Sequence, residues 1–240
     1  MKIRRLLMKG RSPITITISL GICTVFGAYC LTKPQTANAE PAPMFRPILR
    51  EIQTQLPRGW VMRLPSSVNI SEIQLYPQVI TTIPGEFAVW LNSQPNCTSR
   101  SCQFGIITVA QNSTYDNNLR SQPIFTLKEL ERVNEIRRRG YETWTESDKR
   151  DLIRSEMAVL ERTPITLKQG IDGLFVVQNS GGASTPPSLS VIWKQDGLNY
   201  RVSLRGGFDR DRNIVSQRDK SALINLAISM ANESPIQNVR

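Results

Sequence analysis

The sequence predicts an α+β domain in which a mostly antiparallel sheet packs against helices, with one disulfide in a hairpin. Three observations support this fold class. Short apolar runs recur between turn residues, which is typical of antiparallel strands. Apolar residues recur at helical spacing in the segments 44–56 and 222–230 and within 126–163. Two cysteines, Cys97 and Cys102, lie between two of the strand-like runs.

Residues 1–39 have the composition of an export signal. Five basic residues and no acid precede the apolar run ITITISLGICTVFGAYCL, which ends shortly before Ala37 and Ala39. Small residues at these positions fit an A-x-A cleavage pattern, so we expect cleavage after Ala39. The apolar run of about 18 residues is also long enough for an uncleaved anchor helix, which is the alternative. The rest of the chain, residues 40–240, is expected to form one domain.

Most of the net charge of +10 belongs to the signal segment. Residues 1–39 contain six of the 30 basic residues and none of the 20 acidic ones, which leaves a net charge of +4 for residues 40–240. This balance removes the main argument for a nucleic-acid partner. The 201 residues that remain are enough to bury a sizeable core.

Cys97 and Cys102 are the only cysteines outside the signal segment. In an oxidising compartment two such cysteines are expected to pair with each other. The flanking runs EFAVWLN and QFGIITVA are strand-like, so the disulfide would close a hairpin tip. A metal site or a redox pair are the alternatives. They have less support, because there is no third soft ligand and because four residues separate the cysteines.

The chain contains no histidine, which excludes Ser-His-Asp and Cys-His catalysis and histidine-bound metals within the chain. Pairs of carboxylates remain available, but we interpret Glu86 and Asp172 as turn acids. The run Asp209–Asn213 has the D-x-D-x-N opening of a calcium loop. Ile214 replaces the usual glycine and Lys220 the usual glutamate, so we interpret the run as a solvated loop. No metal or cofactor is predicted.

The N-terminal half begins with an amphipathic lead helix over 44–56. Its apolar stripe consists of Phe45, Ile48, Leu49, Ile52 and Leu56, and Pro57 and Gly59 end it. Strand-like runs follow at 60–64 and 73–83, before the cysteine hairpin.

A helical insert is predicted at about 126–163. It contains two helices, which capping residues start at Thr126 with Glu129 and at Thr145 with Asp148. Gly140 and Pro164 are expected to end the two helices. Four apolar residues of the second helix are interpreted as core and not as a partner groove: Leu152, Ile153, Met157 and Leu160.

Arg137, Arg138 and Arg139 fall in the last turn of the first inserted helix, where cations face the negative end of the helix dipole. We interpret them as a solvated helix end. The alternative is a patch for an anionic partner or a membrane surface, so these arginines are candidate interaction residues.

The C-terminal half returns to strands, at 171–178 and in the hairpin LSVIWKQDGLNYRVSL. Asp196-Gly197 is a two-residue turn signal, which pairs Gln195 with Leu198. Trp193 then lies opposite Tyr200 on an apolar face. We interpret this aromatic pair as core, with a ligand platform as the alternative. A final helix presents Ala222, Leu223, Leu226, Ala227 and Met230 on one side and ends before Pro235.

Several motifs together resemble a family of exported cyanobacterial proteins of unknown function. These are the Cys-x4-Cys-x-x-Gly hairpin from Cys97 to Gly105, the run ITLKQGIDGLF, the pattern W-x-x-x-G-x-x-Y with Trp193, Gly197 and Tyr200, and the closing run LINLAISMANE. They are also similar to an unknown-function domain found outside anti-sigma-type membrane proteins. The resemblance covers about 130 residues and implies no established activity, so it transfers no catalytic residue.

The functional expectation is an exported, non-enzymatic binding or protein-interaction module. Its expected location is the periplasm, the cell envelope or the thylakoid lumen, with a protein or an envelope component as its partner. Contact with a membrane is expected only through an uncleaved signal segment. The alternatives are a carboxylate-dependent cell-wall or glycan hydrolase, and a carrier of an apolar ligand.

We expect the protein purified from the exported fraction of its own cells to begin at Glu40. Its intact mass should lie two hydrogens below that of the reduced chain, because Cys97 and Cys102 are paired. Denaturing mass spectrometry with and without a reductant measures both properties. A chain that retains residues 1–39, or a mass that reduction does not change, would contradict the prediction.

Overall fold

The computed structural model describes residues 40–70, 73–81, 85–99, 101–156, 158–179, 187–205, 208–209 and 214–239. The helical elements are the 3-10 helix Pro43–Ile48, α1 (Leu49–Gln55), α2 (Thr114–Ser121), α3 (Leu127–Arg139), the 3-10 helix Tyr141–Thr143, α4 (Glu146–Glu156) and α5 (Gln217–Asn232). The strands are β1 (Val61–Met62), β2 (Tyr76–Ile80), β3 (Glu86–Asn92), β4 (Gln103–Ala110), β5 (Val159–Lys168), β6 (Ile171–Gln178), β7 (Ser188–Gln195), β8 (Leu198–Arg205), β9 (Phe208–Asp209), β10 (Ile214–Val215) and β11 (Ile236–Gln237).

Seven strands form one sheet in the order β2-β3-β4-β8-β7-β6-β5, and all neighbouring pairs are antiparallel. Two small antiparallel pairs, β1 with β11 and β9 with β10, lie outside this sheet. The α+β class with a mostly antiparallel sheet is therefore confirmed.

One face of the sheet carries the main core. The lead helix, which is the first 3-10 helix continued by α1, packs on this face together with α5. Both contribute an apolar stripe, as their spacing predicts. The residues of these two helices that are 7% exposed or less are Phe45, Ile48, Ile52, Leu56, Leu223, Leu226, Ala227, Met230 and Ala231. Burial of these stripes is the main source of free energy that holds the helices on the sheet.

The β7–β8 hairpin has the predicted register. Gln195 pairs with Leu198, and Trp193 lies opposite Tyr200. Asp196 and Gly197 have φ angles of +55° and +75°, which is the conformation that a two-residue turn of type I′ requires. The side chains of β8 alternate between buried and half-buried along the whole strand, so one face is apolar and the other polar.

The hairpin tip is tied to two distant segments through Arg63. The Asp196 carboxylate accepts a hydrogen bond of 2.9 Å from Arg63 Nε. The same guanidinium donates to the main-chain carbonyl of Glu233, directly after α5. Because Arg63 is only 7% exposed, these two acceptors offset the loss of hydration of a buried charge.

The helical insert differs from the prediction at its end. The second inserted helix is α4, which ends at Glu156, and the strand β5 begins at Val159, although the pattern predicts helix up to Pro164. Pairing with β6 holds this segment extended. Pro164 is compatible with β5 because β5 is an edge strand, where a missing N–H can face away from the neighbouring strand.

The inserted helices have a small core of their own. Both predicted capping boxes are present, with hydrogen bonds between Thr126 and Glu129 and between Thr145 and Asp148. Leu152 packs in this core and Leu160 packs against it, whereas Ile153 is 67% exposed, so its assignment to the core is wrong. The other core members are Phe125, Leu130, Val133, Ile136 and Ala158. Met157 and the side chains of the 209–213 loop lie outside the described residues.

A helix that the sequence pattern did not reveal, α2, packs on the second face of the sheet. The Ser113 hydroxyl accepts a hydrogen bond of 3.0 Å from the Asp116 amide and so starts the helix. Leu119 packs against Val176 and Ile192 of the sheet. Ile192 is the one apolar exception on the polar face of the β7–β8 hairpin, and the contact with α2 explains it.

Gly105 of β4 is a position where an added methyl group has no space. A Cβ atom there would lie 2.7 Å from Leu204 Cδ2 and 2.8 Å from the main-chain oxygen of Ser203. A Cβ on Gly173 would meet only side-chain atoms, at 3.2 Å or more. We expect Gly105→Ala to lower the free energy of unfolding by about 2 kcal/mol, because the main-chain atom cannot move without distorting the sheet.

Gly173→Ala is the matched control and should cost clearly less, since the side chains of Ile165 and Leu167 can shift. Urea unfolding followed by tryptophan fluorescence measures both variants. If both variants lost the same free energy of unfolding, the space around Gly105 would be no tighter than the space around Gly173.

Candidate functional site

A groove of about 530 Å³ lies beside the edge strand β2. Three parts of the chain form its walls: the lead helix, the segment 68–77 and the tip of the cysteine hairpin. The lining residues are Met44, Pro47, Val68, Ile70, Ile73, Gln74, Leu75, Tyr76, Pro77, Pro95 and Asn96. The volume falls in the range of roughly 300–1,000 Å³ that is usual for ligand sites.

Most of the described lining residues are apolar, although polar atoms contribute nearly as much of the groove surface as apolar atoms do. None of the lining residues that the structure describes carries a formal charge. Ile70 and Leu75 are 5% and 9% exposed and belong to the main core, so the floor of the groove is part of that core. Ile73, in contrast, is 49% exposed. The polar groups available in the groove are amides and one phenol, in Gln74, Asn96 and Tyr76, which suit a neutral partner.

The predicted disulfide is present and supports one wall of the groove. Cys97 and Cys102 are bonded, with their Cα atoms 6.0 Å apart. The Ser93 amide donates a hydrogen bond of 2.8 Å to the Cys102 carbonyl, which closes the hairpin at the base of its tip. Asn96, at φ +55°, turns the chain between the strand end and Cys97. The disulfide thereby restricts the conformation of the hairpin tip, which includes Pro95 and Asn96.

Two of the three arginines at the end of α3, Arg137 and Arg139, contact α4. Arg137 donates to the Ser155 hydroxyl at 3.2 Å, and Arg139 pairs with Asp148 at 3.3 Å. Both contacts join α3 to α4. Arg138 is exposed. Two of the three cations therefore contribute to packing of the inserted helices.

Trp193 and Tyr200 are fully buried, with 0% exposure of each residue. Their rings stack with centroids 5.3 Å apart and an angle of 14° between the planes. The Tyr200 hydroxyl donates a hydrogen bond of 2.8 Å to the Val61 carbonyl. The pair is part of the core, so it does not present a ligand platform on the surface.

A buried charge cluster lies on the polar face of the sheet, centred on Arg201 of β8. Its guanidinium contacts Glu86 Oε2 at 3.1 Å and Asp116 Oδ1 at 3.3 Å. It also lies over the ring of Tyr115, 4.5 Å from the centroid. The Tyr115 hydroxyl in turn donates to Gln178 Oε1. These contacts fasten α2 to strands from both halves of the sheet.

Burial and charge act in opposite directions on the Asp116 carboxyl. Burial raises the pKa of Asp116 above its ordinary value, and the Arg201 guanidinium lowers it. Glu86 and Asp116 thus share one cation. Asp172, the other acid considered in the sequence, lies four strands away from Glu86, which corresponds to about 19 Å of strand spacing. Glu86 and Asp172 do not form a catalytic pair, because glycosidase carboxyls are about 5–10 Å apart.

Among the residues that the structure describes, no cluster of three or more His, Cys, Asp or Glu side chains could hold a metal ion. The helices in the described part of the chain are all too short or too polar to cross a membrane.

Sequence reasoning missed both the groove and the charge cluster. The segment 68–75 supplies four apolar residues to the groove, but it precedes β2, and the strand-like pattern at 73–83 does not indicate that its first residues line a groove. The sequence pattern did not predict the position of Asp116, because the helix that carries it, α2, is short and polar. The alternation of β8 correctly places Arg201 on the polar face, but it does not identify the carboxylates that pair with it.

Comparison of the chain with protein-family models, with curated proteins and with solved structures finds no match. The resemblance to an exported cyanobacterial family stays a prediction.

We expect Arg201→Ala to lower the free energy of unfolding at pH 7 by about 3 kcal/mol, because it leaves two buried carboxylates without a counter-charge. The loss should shrink as the pH falls towards 4. In the variant the pKa of Asp116 rises further, so the carboxyl becomes protonated and no longer needs the cation.

Urea unfolding at several pH values measures this effect. Arg46→Ala is the matched control: Arg46 pairs with Glu40, both side chains are largely exposed, and we expect no measurable change. A loss for Arg201→Ala that is the same at pH 4 and pH 7 would contradict the role of Arg201 as a counter-charge.

Proposed function

We propose that this protein is an exported, non-enzymatic binding module that holds an apolar part of a partner in the groove beside β2. The observation that carries the proposal is that the described lining of the groove consists mostly of apolar residues, carries no formal charge and includes two buried core residues. Charged residues of the inserted helices, in contrast, form four ion pairs with one another.

The chemistry of the lining supports binding in preference to a reaction. The lining residues that the structure describes include no carboxylate, amine, guanidinium or thiol, so this part of the groove offers none of the usual general acids, bases and nucleophiles. Outside the groove, the carboxylates of Glu86 and Asp116 both form ion pairs with Arg201. The alternative of a carboxylate-dependent hydrolase receives no support from these contacts.

The expected compartment is the periplasm, the cell envelope or the thylakoid lumen. Support comes from the signal-like composition of residues 1–39 and from the Cys97–Cys102 disulfide, since disulfides persist in oxidising compartments. The partner is then an exported protein or an envelope component. A carrier of an apolar ligand is the second candidate, because a groove of this volume and lining also suits a small neutral molecule. A native mass spectrum that retains a small molecule would favour the carrier.

We expect the uncharged dye Nile Red to bind the purified protein in this groove. Ile73→Arg should lower the affinity of the dye at least about tenfold, because it introduces a charge into an apolar site. Fluorescence titration measures the affinity, and circular dichroism confirms that the variant is folded.

Ile153→Arg is the matched control, because Ile153 is an isoleucine on α4 with 67% exposure and does not line the groove. Its dye affinity should equal that of the wild type. Absence of dye binding to the wild type, or equal loss in both variants, would overturn the groove as the binding site.

A further inference from the structure

The two edges of the sheet differ in how they are covered. At the β5 edge, Ile124 forms a bridge with Val159, and the Phe125 amide donates a hydrogen bond of 2.7 Å to the Val159 carbonyl. Lys220 of α5 also pairs with Glu161 of β5. At the other edge, no described strand pairs with the outer side of β2. An open edge has unpaired main-chain groups that can bind another chain.

Pro77 indicates which main-chain groups of β2 point outwards. A proline fits an edge strand only where its nitrogen faces away from the neighbouring strand. Pro77 is opposite Leu91 of β3, so Tyr76, Gln78 and Ile80 direct their main-chain groups towards β3. Alternation then leaves the carbonyl of Pro77 and both main-chain groups of Val79 facing outwards.

The groove lies at the N-terminal end of β2, where Tyr76 and Pro77 line it. Pro77 lines the groove, and Val79 belongs to the main core that the lead helix also joins. In a strand added to β2, the residues opposite Pro77 and Val79 would place their side chains on this same face. A residue opposite Pro77 would therefore place its side chain at the groove, and a residue opposite Val79 would place its side chain on the core face.

We propose that the occupant of the groove is an extended polypeptide segment of a partner protein, which adds to β2 as an eighth strand with alternate apolar side chains directed to the groove and the core face. This inference rests on the proposed function. Main-chain hydrogen bonds to Val79 and Pro77 supply affinity, and the neutral groove selects uncharged, apolar side chains. Pro77 offers no N–H, so the added strand finds few main-chain bonds and the edge is protected from indiscriminate pairing.

The experiment uses a library of random 12-residue peptides displayed on phage, selected on the purified, oxidised protein that has been expressed from the full chain. We expect enriched peptides to have apolar residues at every second position. Synthetic copies are then N-methylated at one amide at a time, and their affinities are measured by fluorescence polarisation.

Methylation at the amides that face β2 should weaken binding about tenfold or more. The methyl group removes the N–H donor of a main-chain hydrogen bond and also clashes with β2. Methylation at the intervening amides should change affinity less than about twofold. The sensitive positions should coincide with the apolar ones, and Ile73→Arg, but not Ile153→Arg, should weaken every selected peptide. The protein is unchanged in the methylation series, so folding does not enter the result.

Other outcomes separate this inference from the function on which it rests. Selected peptides without an alternating response to N-methylation would overturn strand addition. Nile Red binding without any enriched peptide would overturn the polypeptide occupant while the groove remains a binding site. Absence of both dye and peptide binding would overturn the inference and the proposed function together.

Discussion

The register of the β7–β8 hairpin is the constraint on which the rest of the structure depends. Asp196 and Gly197 both adopt positive φ angles, and this turn pairs Gln195 with Leu198. A shift by one residue would exchange the two faces of a central strand and place Arg201 in the apolar core. The turn is also held from outside, because the Asp196 carboxylate binds Arg63, which reaches the end of α5 as well.

With this register the sheet has two faces, and different interactions hold the helices on each of them. The apolar face is held by burial of the lead helix and α5, which is a non-directional interaction. The polar face is held by Arg201 with Glu86 and Asp116, where the loss of hydration is offset only if every partner is in place. The second face therefore tolerates fewer changes, and it determines where α2 lies.

The disulfide and the groove connect stability with the proposed function. The staple acts on a hairpin tip that contributes little to the core, yet Pro95 and Asn96 of that tip form one wall of the groove. The glycine of the cysteine motif, Gly105, is also explained by the fold. β4 and β8 approach each other too closely at this position to leave space for a side chain. The motifs that suggest a family are thus features of the fold, and they are compatible with partners of different kinds.

The sequence by itself determined the features that depend on neighbouring residues: the two capping boxes, the turn at Asp196, the apolar stripes of the lead helix and α5, and the pairing of Cys97 with Cys102. These features are local, because their partners lie within a few positions along the chain. Tertiary structure decided the rest. The segment after α4 became strand because β6 was available for pairing, against a helical pattern. The groove and the Arg201 cluster each combine residues from several distant segments, and no local pattern records which of them will meet.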